Sequence, residues 1–231
     1  MSDEVKLVIE PPKRTEPLDR NDDNFKNIET LTKEGKWPHP YLPGMDMPPY
    51  IKRLGESVVG IEVGVAKGET SAWLLEKCPN LTKLNGVDPY LPYEDWCRYI
   101  DEEEINLQKT IAKENVSQYG DRFKFLEMTA ENAVKKFKKE SVDFVFIDGD
   151  HSYEGCKKDI LAWLPKMKKN SVLAGHDYAW HEPVKRAVAD VFGPGDFGDP
   201  WGSGCFVFEI IDGRVVKYGS EDQVFRYSVD L

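Results

Sequence analysis

No apolar run in this chain approaches the ~20 residues that cross a bilayer. The opening MSDEVKLVIEPPK also lacks the basic start and apolar stretch of a secretory leader. Both absences lead us to expect a soluble cytoplasmic protein with no membrane partner. Cysteine is sparse: Cys78, Cys97, Cys156 and Cys205 stand far apart, with no CxxC pair and no zinc-ligand spacing. That pattern disfavours a disulfide framework and a structural zinc, and fits reduced thiols in the same compartment. Positive charge is in deficit, 31 Lys and Arg against 41 Asp and Glu, for a net charge of −10 at pH 7. A broad phosphate-tracking surface is disfavoured, and with it general nucleic-acid binding. No internal repeat is visible.

What is present suits a single globular domain with appendages: 231 residues, 40% of them hydrophobic, can bury a full core. Residues 1–50 carry Pro11, Pro12, Pro17, Pro38, Pro40, Pro43, Pro48 and Pro49. They read as an extended arm or lid set against a domain over 51–231. Trp37, His39, Tyr41, Leu42, Met45 and Met47 give the later half of the arm enough apolar surface to pack on something. A substrate lid and a subunit-exchanging arm, the latter implying a homo-oligomer, both remain open.

From Glu56 strands and helices alternate. Strands are expected near Val58 to Val63, Leu84 to Val87, Phe123 to Leu126, Val142 to Ile147 and Ser171 to Ala174. Helices are expected around Trp73 to Lys77, Ile105 to Tyr119 and Ala130 to Phe137, from Ser152 to Pro165, and over Val184 to Phe192 behind Pro183. Such alternation specifies an α/β fold with a doubly wound, mostly parallel sheet. Beyond a Gly-rich loop, Cys205 to Ile211 and Val215 to Tyr218 flank Asp212-Gly213, a hairpin signal that ends the sheet antiparallel.

Chemistry-bearing residues fall where these strands end. The first strand runs into GIEVGVAKGETS, where Glu62 is followed by Gly64 and Gly68 at a turn into a helix. A dinucleotide site would want GxGxxG, but the spacing here is GxxxG. An anion beside a phosphate costs energy, so Glu62 suits a ligand carrying an ammonium or sulfonium better. A purely structural turn is the simpler alternative. Asp88, in GVDPY, lies about twenty residues on, where a carboxylate can accept both hydroxyl protons of a ribose. FIDGDHSYEG places Asp148, Asp150 and His151 at the end of the fourth strand, and AGHDY places His176 and Asp177 at the end of the fifth. A right-handed crossover brings the two clusters together on one rim.

In order and content these motifs resemble the class I S-adenosylmethionine-dependent methyltransferases over about Val58 to Tyr218. FIDGDHSYEGCKKDI followed by VLAGHDY looks like the small-molecule O-methyltransferase branch of macrocin-type and cephalosporin-hydroxylase-like proteins. The resemblance implies a Rossmann-like domain with a seven-stranded sheet. It also implies that S-adenosylmethionine is held by Glu62, Gly64 and Gly68 at its amino acid end, by Asp88 at its ribose, and by Thr129 and Ala130 along its adenine, with Asp148 touching the cofactor as well as serving the chemistry. Relatives of this kind hold magnesium with the acid ending strand four and an acidic pair ending strand five. Here those positions are Asp148 and His176-Asp177, with Asp150 available as a further oxygen ligand, and the imidazole leaves manganese, or no metal, as alternatives to magnesium.

His151, three residues past Asp148, is the candidate general base for a small hydroxylated acceptor, a sugar or a natural-product-like compound. Tyr90, Tyr93, Trp96, Tyr99, Tyr178, Trp180 and Trp201 are candidates for the acceptor walls, while His39 and His181 read as surface residues. Two other functions fit the same fold: hydroxylase-like chemistry, and a nonenzymatic sensor or scaffold that keeps the cofactor pocket.

Overall fold

The computed structural model describes residues 42–95, 98–193, 197–198, 204–218 and 224–227. Five strands run parallel: β1 (Val58–Val63), β2 (Leu81–Val87), β5 (Phe123–Leu126), β6 (Val142–Ile147) and β7 (Met167–Gly175). The antiparallel strands β8 (Phe206–Ile211), β9 (Arg214–Tyr218) and β10 (Val224–Tyr227) extend the sheet beyond β7, giving the order β10-β9-β8-β7-β6-β1-β2-β5. The expected doubly wound sheet and its C-terminal hairpin around Asp212-Gly213 are therefore present. The eighth strand, β10, is one more than the seven expected.

Alternation within continuous apolar strands decides which helix layer each strand serves. On β6, Phe144 and Phe146 pack with Trp73, Leu74 and Leu75 of helix α2 (Glu69–Lys77) on one face of the sheet. Val145 and Ile147 pack on the other face with Cys156, Ile160 and Trp163 of α5 (Tyr153–Trp163). This is the signature of a strand buried on both sides. Ser152 caps α5 by accepting from the Gly155 N–H at 3.0 Å. Pro165 falls within a 3₁₀ turn, Leu164–Lys166, just beyond that helix.

Several boundaries differ from expectation for local reasons. The second long helix, α3, covers Glu102–Val116, starting where the Asp101 side chain accepts from the Glu104 N–H. The helix expected over Ala130 to Phe137 is one turn, α4 (Ala130–Ala133), continued as 3₁₀. The last helix, α6, is Glu182–Phe192. Residues after Asp88 form a small hairpin, β3 (Tyr93–Asp95) with β4 (Arg98–Ile100), that the sequence did not announce.

The described part of the proline-rich segment, residues 42–50, packs on the domain that follows it. Leu42, Met47, Tyr50 and Ile51 are buried in the core, the last three around a short helix α1 (Pro48–Lys52). Proline at the first helical turn is tolerated because those N–H groups have no intrahelical partner. The rest of the expected arm, with Trp37, His39 and Tyr41, lies outside the described residues.

Candidate active site

The strand order reverses between β1 and β6, the switch point where open α/β sheets leave a crevice beyond their strand ends. Glu62 pairs with Phe146 across this junction, and the Asp148 N–H donates to the Val63 carbonyl at 2.7 Å. Gly64 has φ +87°, and a Cβ there would run into the Asp148 carbonyl, so only glycine lets the two strand ends close on each other. Gly68 precedes α2 with φ +69°.

Glu62 is 1% exposed and accepts the Ser71 hydroxyl. Burial pushes its carboxyl up to about 8; the Ser71 hydrogen bond opposes this, while Asp148 and Asp88 add to the rise. Asp88 clamps the glycine turn. One carboxylate oxygen accepts from Val65 and Ala66 N–H, both at 3.0 Å, and the other from Tyr90 N–H at 2.8 Å. Ala66 adopts φ +46°, a conformation that Asp88 helps to hold. Thr129 precedes α4 and Ala130 opens it; both line the same cavity as Asp88.

Beyond β6 and β7, two carboxylates and two imidazoles interleave. His151 Nε2 lies 3.0 Å from Asp177 and 3.6 Å from Asp148, while His176 Nδ1 lies 3.4 Å and 3.6 Å from the same two carboxylates. Asp177 takes φ +60°, a left-handed conformation that Asp tolerates better than most residues. Burial works against charge on both imidazoles, but Asp148 and Asp177 outweigh it, pushing His151 up to about 10 and His176 up to about 9. Burial also works against charge on the carboxylates, yet the imidazoles hold both below the usual carboxylate range.

Asp148, His151 and Asp177 each offer one ligand atom, all within 4.8 Å of one another. His151 Nε2 is buried there without an aligned hydrogen bond. Such a set fits a divalent ion that accepts nitrogen with oxygen; magnesium, which prefers an all-oxygen octahedron, is less well served. Asp150, expected as a further ligand, does not join this group. Its carboxyl accepts from the Ser152 N–H at 2.9 Å and sits over Gly155 at the start of α5, in space that a larger residue at 155 would fill.

A cavity of about 960 Å³ joins the two halves, running from Gly64, Asp88, Thr129 and Ala130 to Asp148 and His151. His181, expected at the surface, lines it with its ring 5.6 Å from that of His151. Of the aromatic candidates, Tyr93 reaches the cavity, and Trp180, 61% exposed, stands 5.6 Å from the His176 ring. Tyr90 and Tyr178 are buried and serve the fold: Tyr90 donates to the Ala66 carbonyl and Tyr178 accepts from the Phe197 N–H. Trp96 and Trp201 lie outside the described residues. Ser71 went unrecognised in the sequence; a serine nine residues past Glu62, in the first turn of α2, was the available signal.

The family described as a methyltransferase domain matches residues 61–178, more than half of the chain, and the chain belongs to that family. Solved structures with the same fold include a Corynebacterium glutamicum protein at 16% identity, with 84% of this chain and 92% of that one covered and a TM-score of 0.50. A Podospora anserina methyltransferase solved with SAH bound is similar at 13% identity, covering 84% of this chain and 98% of its own, with a TM-score of 0.50. No curated protein matches.

Proposed function

We propose that this chain transfers the methyl group of S-adenosylmethionine to a hydroxyl of a small acceptor. The observation that carries the reading is the continuous cavity, which runs from the glycine turn and Asp88 at one end to Asp148 and His151 of the Asp/His cluster at the other. Glu62 would meet the ammonium of the cofactor's amino acid end, a cation that favours the ionised carboxylate. Gly64 leaves the backbone open to close approach, and Asp88 has lone pairs left for the ribose hydroxyls.

In the transfer, the acceptor oxygen forms a bond to the methyl carbon as the carbon–sulfur bond breaks. The electron pair goes to sulfur, leaving a neutral thioether, and the hydroxyl proton leaves for a base. The protein's main tasks are alignment and proton removal. His151 is the base in this reading, but it can act only when neutral. Were Asp148 and Asp177 to hold a divalent cation, the carboxylates that hold its proton would be engaged elsewhere. Such a cation would also favour the ionised acceptor oxygen. Asp148 and Asp177 would be its oxygen ligands, with His176 beside them; His151 Nε2 cannot ligate the cation and accept the proton at once, and in this reading it is the base.

Calorimetric titration with S-adenosylmethionine and with S-adenosylhomocysteine tests the cofactor assignment directly. Absence of binding to the folded protein would refute it. Transfer of labelled methyl from the cofactor to hydroxylated sugars and phenols, with and without chelator, then tests the acceptor class and the cation.

A further inference from the structure

The rim opposite the cavity is built from the amino ends of β6 and β7, since the parallel strands that finish at the Asp/His cluster begin there. Its charge is unlike that of the rest of the chain. Lys135, Lys136, Lys138 and Lys139 crowd the approach to β6, and Lys166, Lys168 and Lys169 lie at the start of β7. Hydrogen bonds join the two groups. The Ser141 N–H donates to the Lys166 carbonyl at 2.8 Å, its hydroxyl to the Lys138 carbonyl at 2.8 Å, and Lys166 Nζ to the Phe137 carbonyl at 2.9 Å. The turn between β8 and β9 extends the row, with the Gly213 N–H donating to the Lys169 carbonyl at 2.8 Å and Arg214 next in the chain.

Part of this charge is already spent inside the protein: Lys135 pairs with Glu131 and Lys168 with Asp143. The remainder is not. Lys136, Lys138, Lys139, Lys169 and Arg214 are exposed and pair with no described carboxylate, and the exposed acids among them are Glu140 and Asp212. In a chain of net charge −10, solubility needs no such row, because the acidic remainder already supplies it.

We propose that this rim docks a short acidic segment of another protein, on the side of the sheet that leaves the cavity open. The size of the row decides the kind of partner. Neighbouring strands lie about 4.8 Å apart, so the row is on the order of 15 Å long with its lysine stems included, a span that about five residues of extended chain would cover. A bilayer or a long duplex would reach past it onto a protein whose net charge repels polyanions. None of the exposed large apolar side chains stands on these three turns to enter a membrane, and lysine offers point charges rather than the planar forks that suit phosphate. The inference is independent of the S-adenosylmethionine reading.

Fluorescence anisotropy of labelled decaglutamate against the full chain tests it. Binding is expected at about 20 mM salt and a loss of about 10-fold or more at about 200 mM. Lys139→Glu combined with Lys169→Glu should weaken binding by about 10-fold or more. Lys113→Glu combined with Lys124→Glu changes the net charge equally, at exposed positions on α3 and on β5 at the far edge of the sheet, and should stay within about 2-fold of wild type. Equal losses in the two variants would make the effect one of net charge and overturn the proposal, as would no binding at low salt. Tighter binding to vesicles of about one-third phosphatidylserine, or to duplex DNA, would overturn it in favour of those partners. Salt-sensitive self-association abolished by the Lys139 and Lys169 changes would overturn it too, making the acidic run Asp101 to Glu104 of a second copy the occupant.

Discussion

Glu62 couples the site to the stability of the fold. The folded state keeps its proton up to about pH 8, whereas the unfolded chain releases it near the ordinary value of 4.5. Between those values the folded state holds more protons, so stability declines as pH rises through the window, by on the order of a few kcal/mol in total. Glu62→Gln should flatten this decline, seen as a smaller loss of urea-unfolding free energy from pH 5.5 to 8. Parallel profiles for the two proteins would show that Glu62 does not titrate there. Cofactor binding at pH 7 should eject a proton from Glu62, measured by titration calorimetry in buffers of different ionisation enthalpy, and Glu62→Gln should abolish the release. For His151, replacement by Ala should cut turnover by about 10² to 10⁴-fold with little change in cofactor affinity. His151 and His176 were readable as residues, but their interleaving with two carboxylates was not. At one position a carboxylate would have left a simpler oxygen site: His176→Asp is expected to raise magnesium affinity relative to manganese, checked by competitive binding of the two ions to chelator-treated protein.

At the scale of elements, the glycine turn is a contact between strand ends as much as a ligand cradle. Gly64→Ala would combine a left-handed backbone with a collision against the Asp148 carbonyl, so a loss of more than about 3 kcal/mol is expected by denaturant unfolding. A loss under about 1 kcal/mol would mean that β1 and β6 can part cheaply. Strands β1, β5 and β6 could be read from sequence to the residue because they are short apolar runs bounded by turn residues. The β3–β4 hairpin could not, since YED and RYI are brief and polar and gain their order from neighbours. Asp88 shows the same limit in a side chain: its position after β2 suggests a ligand acceptor, and only the folded loop reveals three backbone N–H groups on it.

Across the whole molecule, the segment leading into β1 is part of the core that supports the cavity. Met47 and Ile51 are fully buried against the α2 face of the sheet, so either residue changed to Ala should cost about 2 to 5 kcal/mol. Deletion through Lys52 should prevent cooperative thermal unfolding, and a deletion variant that melts like the full chain would show that the segment is dispensable. Proline count suggested an arm here because proline is a poor helix residue. Its packing is settled by long-range burial, and periodicity over ten residues carries no information about that.

The sequence by itself determined the alternation of strands and helices, the hairpin at Asp212-Gly213 and the rim on which the Asp and His clusters fall. These follow from local periodicity, turn chemistry and the handedness of crossovers. The tertiary structure alone decided which carboxylates meet which imidazoles, that Asp150 turns to the start of α5, and that Asp159 lines the cavity. Those outcomes depend on distances between residues far apart in the chain, and on the loss of water around them, which no local pattern records.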